Sequence, residues 1–378
     1  MRVVVSGWVA PFPVAGFLWH AVSYALGFRD LGHEVWYVED PGWTADRGFD
    51  PLTRLPDPDC DAGARFLAEE LDRIGLTGRW ALRHPSGRVS GLSASELDEV
   101  LRGADLLVNV SLLLPDRPEY RCIPHRFAID TDPVFTQVGV ARGWDVAERH
   151  TRLFTFGRAP LPGQQPAHEW VPTRQAVHAE SWPVAPPSRP GDPFTTVTSW
   201  QAFSKPLVFE GREYGMKDRS IREHLDLPGR TAVPIEIGLA GGEGAEEGGP
   251  VLAAHGWRIT DALAATRSSV DYRTFVSNSA GEIGFAKHAY AVARCGWFSD
   301  RTCCYLASGR PAVVQDTGWV DWLPNGDGIL AFRTTAEAAA GLEKVAADPE
   351  RHAAAARKLA EEHFDAAGVC AGLLEAGI

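Results

Sequence analysis

The chain has 378 residues, 45% hydrophobic and 23% charged, a globular composition at a length that exceeds one core and suits two or three domains. Thirty-seven basic residues against 49 acidic ones leave a net charge of −12, which argues against nucleic acid or an anionic membrane as the main partner. Any phosphate the chain holds must be met locally, by a few placed donors.

The six cysteines, Cys60, Cys122, Cys295, Cys303, Cys304 and Cys370, fit no zinc spacing, and the vicinal pair is ill suited to a structural disulfide. A reducing cytoplasm is the expected setting. The apolar run to Trp19 is broken by Gly7, Pro11, Pro13 and Gly16, so it reads as a first strand and loop rather than a signal peptide. No stretch of eighteen apolar residues occurs, and no membrane span is predicted.

In chain order, a buried strand at Arg2–Ser6, a helix at about Ala15–Leu31 and a second strand at Glu34–Glu39 make a βαβ unit, hence a parallel sheet. A capped helix follows at Ser93–Arg102, then strands at Asp105–Val110, Arg126–Asp130 and Arg152–Phe156. The stretch from Trp182 to Pro193 is too rich in proline for helix or central strand and predicts a stiff linker. The pattern then restarts, with strands at Thr195–Thr198, Ala232–Gly238, Tyr272–Val276, Ile283–Ala286, Pro311–Val314 and Gly328–Ala331. Helices are predicted at Lys217–Leu225, Thr260–Thr266, Arg301–Ser308, Thr335–Ala347 and Pro349–Phe364, with residues 240–250 as an exposed loop and a last helix to about Leu374. The fold class is therefore α/β, with two doubly wound, Rossmann-like domains at 1–185 and 194–365, a linker at 186–193 and a terminal helix at 366–378. Ligands are expected between the strand C-terminal ends of the two sheets.

The densest chemistry lies in 277–318. A glycine loop at Gly296 and an N-cap at Ser299 open a helix whose free N–H groups suit a diphosphate, with Arg301 and Thr302 in its first turn. A plain capped helix, with Asp300 offsetting the dipole, fits the same letters. Asp316, Thr317 and Gly318 follow a strand end, where a carboxylate can bind sugar hydroxyls or simply form an Asp-Thr-Gly turn. Glu282 and Lys287 flank the strand Ile283–Ala286, Lys287 at its cleft end.

This stretch, with Gly309-Arg310-Pro311-Ala312-Val313-Val314 after a helix, resembles the donor-binding half of GT-B glycosyltransferases, of the retaining, group 1-like kind. Gly211-Arg212-Glu213-Tyr214-Gly215-Met216-Lys217 is similar to that family's Gly-Arg…Lys element, and Gly16 before Leu31-Gly32-His33-Glu34-Val35 to its opening glycine loop. The resemblance implies a nucleotide-diphosphate sugar as co-substrate. Its diphosphate would be held by Lys217, Lys287, Ser299, Arg301 and Thr302, and its sugar by Glu282, Asp300, Asp316, Thr317 and Gly318. Gly16 would shape the acceptor loop of the first domain, and a small-molecule acceptor such as a bacterial natural product would supply the hydroxyl.

The chain departs from the pattern in two places. The two donor-loop glutamates usual in retaining members correspond to Cys295 or Gly296 and to Cys304, and the histidine that follows the loop glycine in inverting members is Phe17. His20, one turn on, is a candidate base, or else a core histidine beside Trp19. The missing histidine favours retention. Asp130-Thr131-Asp132 has the spacing of a metal-diphosphate triplet, but it lies far in sequence from Lys217 and Arg301, and the GT-B resemblance implies no metal. Asp132 is read as facing the cleft, where it orients acceptor or donor sugar; a turn before Pro133 is the plainer alternative. A sugar-nucleotide epimerase or hydrolase on this fold, or a non-catalytic binding protein, fits the same motifs. The sequence carries no signal for oligomeric state.

Overall fold

The computed structural model describes residues 1–42, 48–163, 168–201, 206–240 and 243–378. Its first sheet runs Val171–Pro172, Arg152–Thr155, His125–Asp130, Leu106–Val110, Arg2–Ser6, Glu34–Glu39, Trp80–Arg83 and Val89–Gly91 in spatial order. Every pair is parallel except the last, which is a hairpin. The second sheet is all parallel: Arg258–Asp261, Ile235–Leu239, Phe194–Thr198, Gly281–Gly284, Ala312–Gln315 and Ile329–Phe332. Central strands such as Val3-Val4-Val5 and Ala312-Val313-Val314 are buried on both faces, as continuous apolar runs between helices must be.

In each sheet the chain builds outward from a central strand in one direction and then the other. The resulting switch points lie between Arg2–Ser6 and Leu106–Val110, and between Phe194–Thr198 and Gly281–Gly284. Crevices beyond strand C-termini at such points are where open α/β sheets bind ligands.

Two expected elements are different in kind. Tyr272–Val276 is not a strand but part of the helix Ser269–Ser277. Ser268 accepts from the Asp271 N–H, and the cap turns a β-rich run into a helix that buries Tyr272 and Val276 one turn apart. Residues 240–250 are largely helix, Glu243–Ala254, with 241–242 outside the described residues. The run predicted as helix from Thr260 begins as the edge strand Arg258–Asp261. The sequence reading passed over the helices Asp61–Arg73, Pro133–Ala141 and His288–Ala293.

The C-terminal helix Ala366–Gly377 returns to the first domain and packs on Ala15–Asp30. Ala366 N–H donates to Val177 O at 3.0 Å and Val177 N–H to Phe364 O at 2.8 Å, which stitches the crossover. Gly27 makes this approach feasible, since a Cβ there would lie 2.5 Å from Ala366 O. Gly27→Ala is therefore expected to destabilise the fold by about 1–3 kcal/mol through overpacking, read by urea unfolding. No helix is long and apolar enough to cross a membrane among the described residues.

Candidate functional site

Arg301, from the helix Asp300–Ala307, fills the switch point of the second sheet. Its Nε donates to Glu282 Oε1 at 2.6 Å and its Nη1 to Val197 O at 2.9 Å, so one guanidinium bridges the two strands that diverge there. Both partners are buried, Glu282 completely. Burial opposes the charge on Arg301, but the Glu282 carboxylate outweighs it and holds the guanidinium above its ordinary range. The expected division of labour, Arg301 for the diphosphate and Glu282 for the sugar, is thus corrected: each is the other's partner, and Glu282 lies beneath the surface a sugar would touch.

Lys217 opens the helix Lys217–Arg222 and makes no ion pair or hydrogen bond among the described residues. Burial pushes its ammonium down to about 7, helped by the charges of Arg301 and Lys287 and opposed by Asp300 and Glu282. A lysine so placed needs an anion more than any other cation around the crevice does.

Lys287, expected at the diphosphate, is held from the opposite domain. Its Nζ lies 2.5 Å from Asp132 Oδ2, and the Tyr290 hydroxyl donates to Asp132 Oδ1. Trp297 Nε1 donates to Thr131 O at 3.1 Å beside them. The two domains therefore meet through the triplet Asp130-Thr131-Asp132. Asp130 is buried and bonded by Thr136 Oγ1 at 2.6 Å, Thr155 Oγ1 at 2.7 Å and the Asp132 N–H at 3.0 Å. Burial pushes its carboxyl up to about 6, only partly offset by those donors. With Asp130 turned inward and Asp132 bonded across the seam, the two carboxylates do not share a face toward a cation. The described acidic group Asp59, Asp61 and His84 is likewise engaged, because Arg88 donates to both aspartates.

Asp316, Thr317 and Gly318, expected at the sugar, form a turn whose carboxylate and hydroxyl are bonded within the chain. Asp316 is buried and accepts from Gly318 N–H at 2.7 Å, Arg333 Nε at 2.7 Å and Arg294 Nη1 at 3.1 Å. Burial alone would raise its carboxyl, but those three donors hold it below the ordinary range. Thr317 is buried and its hydroxyl donates to Trp297 O, which anchors the donor loop. Ser299 sits at the helix N-cap without a side-chain capping bond, so the N–H groups of that first turn keep their donors. Thr302 is fully buried behind it, with Oγ1 unpartnered.

On the first domain, His20 faces the seam. Its Nδ1 is 3.7 Å from Asp300 Oδ2 and its Nε2 is 3.4 Å from Ser111 Oγ. Ser111 and Leu112 hold φ of +69° and +61° just past the central strand, and Ser111 Oγ lies 2.9 Å from Thr131 Oγ1. Strain of this kind collects at functional loops. Gly16, on the same first turn, has open space where a Cβ would point. Phe17 is 39% exposed and contacts Trp8 and Phe12 edge-on, with Phe12 stacked on Phe49. Behind them Glu39 accepts from the Val9 and Ala10 N–H groups, each at 2.7 Å, and fixes the loop.

The seam is closed. The cavity among Ser299, Arg301, Thr302 and Trp297 measures about 10 Å³, the size of one water molecule. A hollow of about 280 Å³ beside Pro193, Thr195 and Ser279 lies at the N-terminal ends of the second sheet's strands, the wrong end for a ligand crevice. A nucleotide needs several hundred Å³, more than the cavity beside Ser299 and Arg301 offers.

This two-domain arrangement aligns over nearly the whole chain with solved glycosyltransferases. Anabaena HepE, solved with UDP and glucose, aligns at a TM-score of 0.58 and 11% identity over 100% of this chain and 99% of its own. The chain has the GT-B fold. AviGT4, a glycosyltransferase involved in avilamycin A biosynthesis, aligns at 0.57 and 10% identity over 99% and 96%. An alpha-glucosyltransferase solved with UDP and a 13-mer DNA aligns at 0.58 and 9% identity over 100% and 98%. No protein-family model matches the chain, and no curated protein matches its sequence.

Tyr290 and Ser111 were missed by sequence reasoning. They belong to no motif, and only the pairing of distant loops reveals them. The one usable signal was their position directly after strands or on the helix that opens at Lys287.

Proposed function

We propose that this protein is a glycosyltransferase that moves a sugar from a nucleoside-diphosphate donor to the hydroxyl of a small-molecule acceptor. The observation that carries the reading is Lys217, a half-buried cation without an ion-pair or hydrogen-bond partner among the described residues, which opens a helix beside Arg301 and Lys287 in a GT-B second domain. The neighbour solved with UDP and glucose makes a UDP-sugar the first donor to test.

As the diphosphate enters, Lys217 takes a full proton and bonds to it, and the uncapped turn after Ser299 offers N–H donors. Lys287 exchanges Asp132 for phosphate oxygen. Asp132 is then free on the acceptor side, where it orients the attacking hydroxyl together with His20. The bond from the sugar's anomeric carbon to the diphosphate oxygen breaks, the bond to the acceptor oxygen forms, and the leaving diphosphate takes the hydroxyl proton. No histidine follows Gly16, which favours retention of configuration by this route. Asp300, beside His20, is the carboxylate left for a sugar hydroxyl.

Cations and helix N–H groups neutralise the leaving group, so no metal is required. EDTA is expected to leave the transfer rate unchanged; a rate that collapses and returns with Mn²⁺ would contradict this. The unpaired thiols fit a cytoplasmic protein, and the net charge of −12 favours a small acceptor over nucleic acid. The exposed Phe17 with Trp8 and Phe12 would stack on an apolar or sugar face of that acceptor.

Gly16 provides a separate test of the acceptor loop. Gly16→Ala lies in a helix with no neighbour to strike, so it is expected to stabilise the fold by about 0.5–1 kcal/mol. Its KM for the acceptor should rise all the same, because the open space is kept for substrate. A stabilised variant with unaltered KM would remove Gly16 from the site.

A further inference from the structure

Among the described residues, Arg158 and Arg174 have no carboxylate partner. Arg158 follows the strand Arg152–Thr155, and its N–H donates to Cys295 O at 2.7 Å, which seats it against the loop of the second domain. Its side chain runs directly over Gly296, where a Cβ would lie 2.6 Å from Arg158 Cβ. The Arg158 guanidinium carbon is 4.2 Å from the centroid of the Trp322 ring, and that of Arg174 is 5.7 Å from the same ring. Trp322 is fixed in turn by its Nε1 bond to Gly296 O at 2.9 Å.

Arg158 Nε and Nη2 are buried with no acceptor. Arg174 has only a main-chain acceptor, His363 O, at 3.2 Å from Nη1. Burial lowers both guanidiniums, Arg158 to about 10 with the charge of Arg174 adding to the effect, and no carboxylate acts on either. A cation gains only modestly from an indole face, whereas buried charged N–H groups without acceptors are costly. The chain has 49 acidic residues, and none of the described ones pairs with either guanidinium.

We propose that Arg158 and Arg174, stacked on Trp322 at the domain seam, form a subsite for an oxyanion, a phosphate or a carboxylate. The planar fork of Arg158 presents two adjacent N–H groups to two oxygens, and Arg174 adds the second positive charge. Neither arginine pairs with Asp132, whose carboxylate is taken by Lys287 and Tyr290, and Trp297 is bonded to Thr131 O. Opening of the seam exposes the buried edge of Arg158. The anion is a group carried by the acceptor or a small anion bound beside it. The subsite stands on its own geometry and does not require the donor assignment.

The test is a thermal-shift titration of the full chain with inorganic phosphate, in the parent and in Lys217→Met, Arg158→Met and Arg158→Lys. Phosphate is expected to stabilise the parent and still to stabilise Lys217→Met, which keeps the Arg158 subsite while losing the donor-site lysine. Apparent phosphate affinity should fall about tenfold or more in Arg158→Met and by less in Arg158→Lys, as for loss of charge-assisted bonds. UDP affinity should be unchanged in Arg158→Met. Phosphate that competes with the acceptor during transfer assigns the anion to the acceptor, and phosphate that does not compete identifies a separately bound anion; both sustain the subsite. A phosphate response that vanishes in Lys217→Met but survives in Arg158→Met would overturn it, as would no response in the parent. Should Arg158→Met not fold, Arg158→Lys decides: phosphate affinity equal to the parent's contradicts a fork that reads two oxygens.

Discussion

Glu282→Gln is expected to destabilise the protein by about 3–5 kcal/mol, because it leaves the buried Arg301 guanidinium charged and uncompensated at the switch point. Arg301→Met should cost a similar amount by stranding the carboxylate. The double variant, Glu282→Gln with Arg301→Met, should recover much of the loss, since a buried pair replaced as a unit is often nearly neutral. Urea unfolding of the three variants checks this. Single substitutions within about half a kcal/mol of the parent would mean that the pair is exposed to solvent and free to meet substrate. The distinction matters for function: a loss of donor binding on mutating Arg301 would otherwise be mistaken for a lost diphosphate contact.

Asp132→Asn should produce two effects of opposite sign. Neutralising Asp132 releases Lys287, so UDP is expected to bind several-fold more tightly. The same change removes the carboxylate that orients the acceptor hydroxyl, and kcat should fall by about 10²-fold, the order expected when a reacting group loses its positioning. Calorimetry and initial rates on one preparation measure both. A merely structural aspartate would weaken binding and turnover together. That outcome would contradict the exchange of Asp132 for phosphate at Lys287.

The fold was legible because its strands are short, apolar and rich in Val and Ile, and because Gly, Pro and Ser mark their ends. It failed where a cap overrode propensity. Tyr272–Val276 looks like a strand until Ser268 and Asp271 are recognised as a helix start. The site was legible only as a collection of charges. Lys217, Lys287, Arg301, Glu282, Asp132 and Asp316 stand out in the sequence, but which is free depends on partners the sequence does not display. Glu282 and Arg301 are nineteen residues apart and meet because a helix folds back over its own strand. Asp132 and Lys287 are 155 residues apart and meet only across the domain seam. Asp316 reads as a cleft carboxylate until Arg294 and Arg333 close on it. Glu282, Arg301 and Asp316 are engaged within the chain, which leaves Lys217 as a cation without a partner among the described residues.

That claim is tested most directly by titrating UDP calorimetrically at pH 8 into the parent and into Lys217→Met, in two buffers of different ionisation enthalpy. Lys217 is held near 7, so above that pH it is mostly neutral in the free protein, and a bound diphosphate raises it again. Binding must then take up a proton, and affinity should fall as pH rises beyond 7, by at most about tenfold per unit. The account predicts proton uptake on UDP binding in the parent, and in Lys217→Met its loss together with a drop in affinity of about 10–100-fold. UDP binding of equal strength in both proteins, with no proton uptake in either, would contradict it.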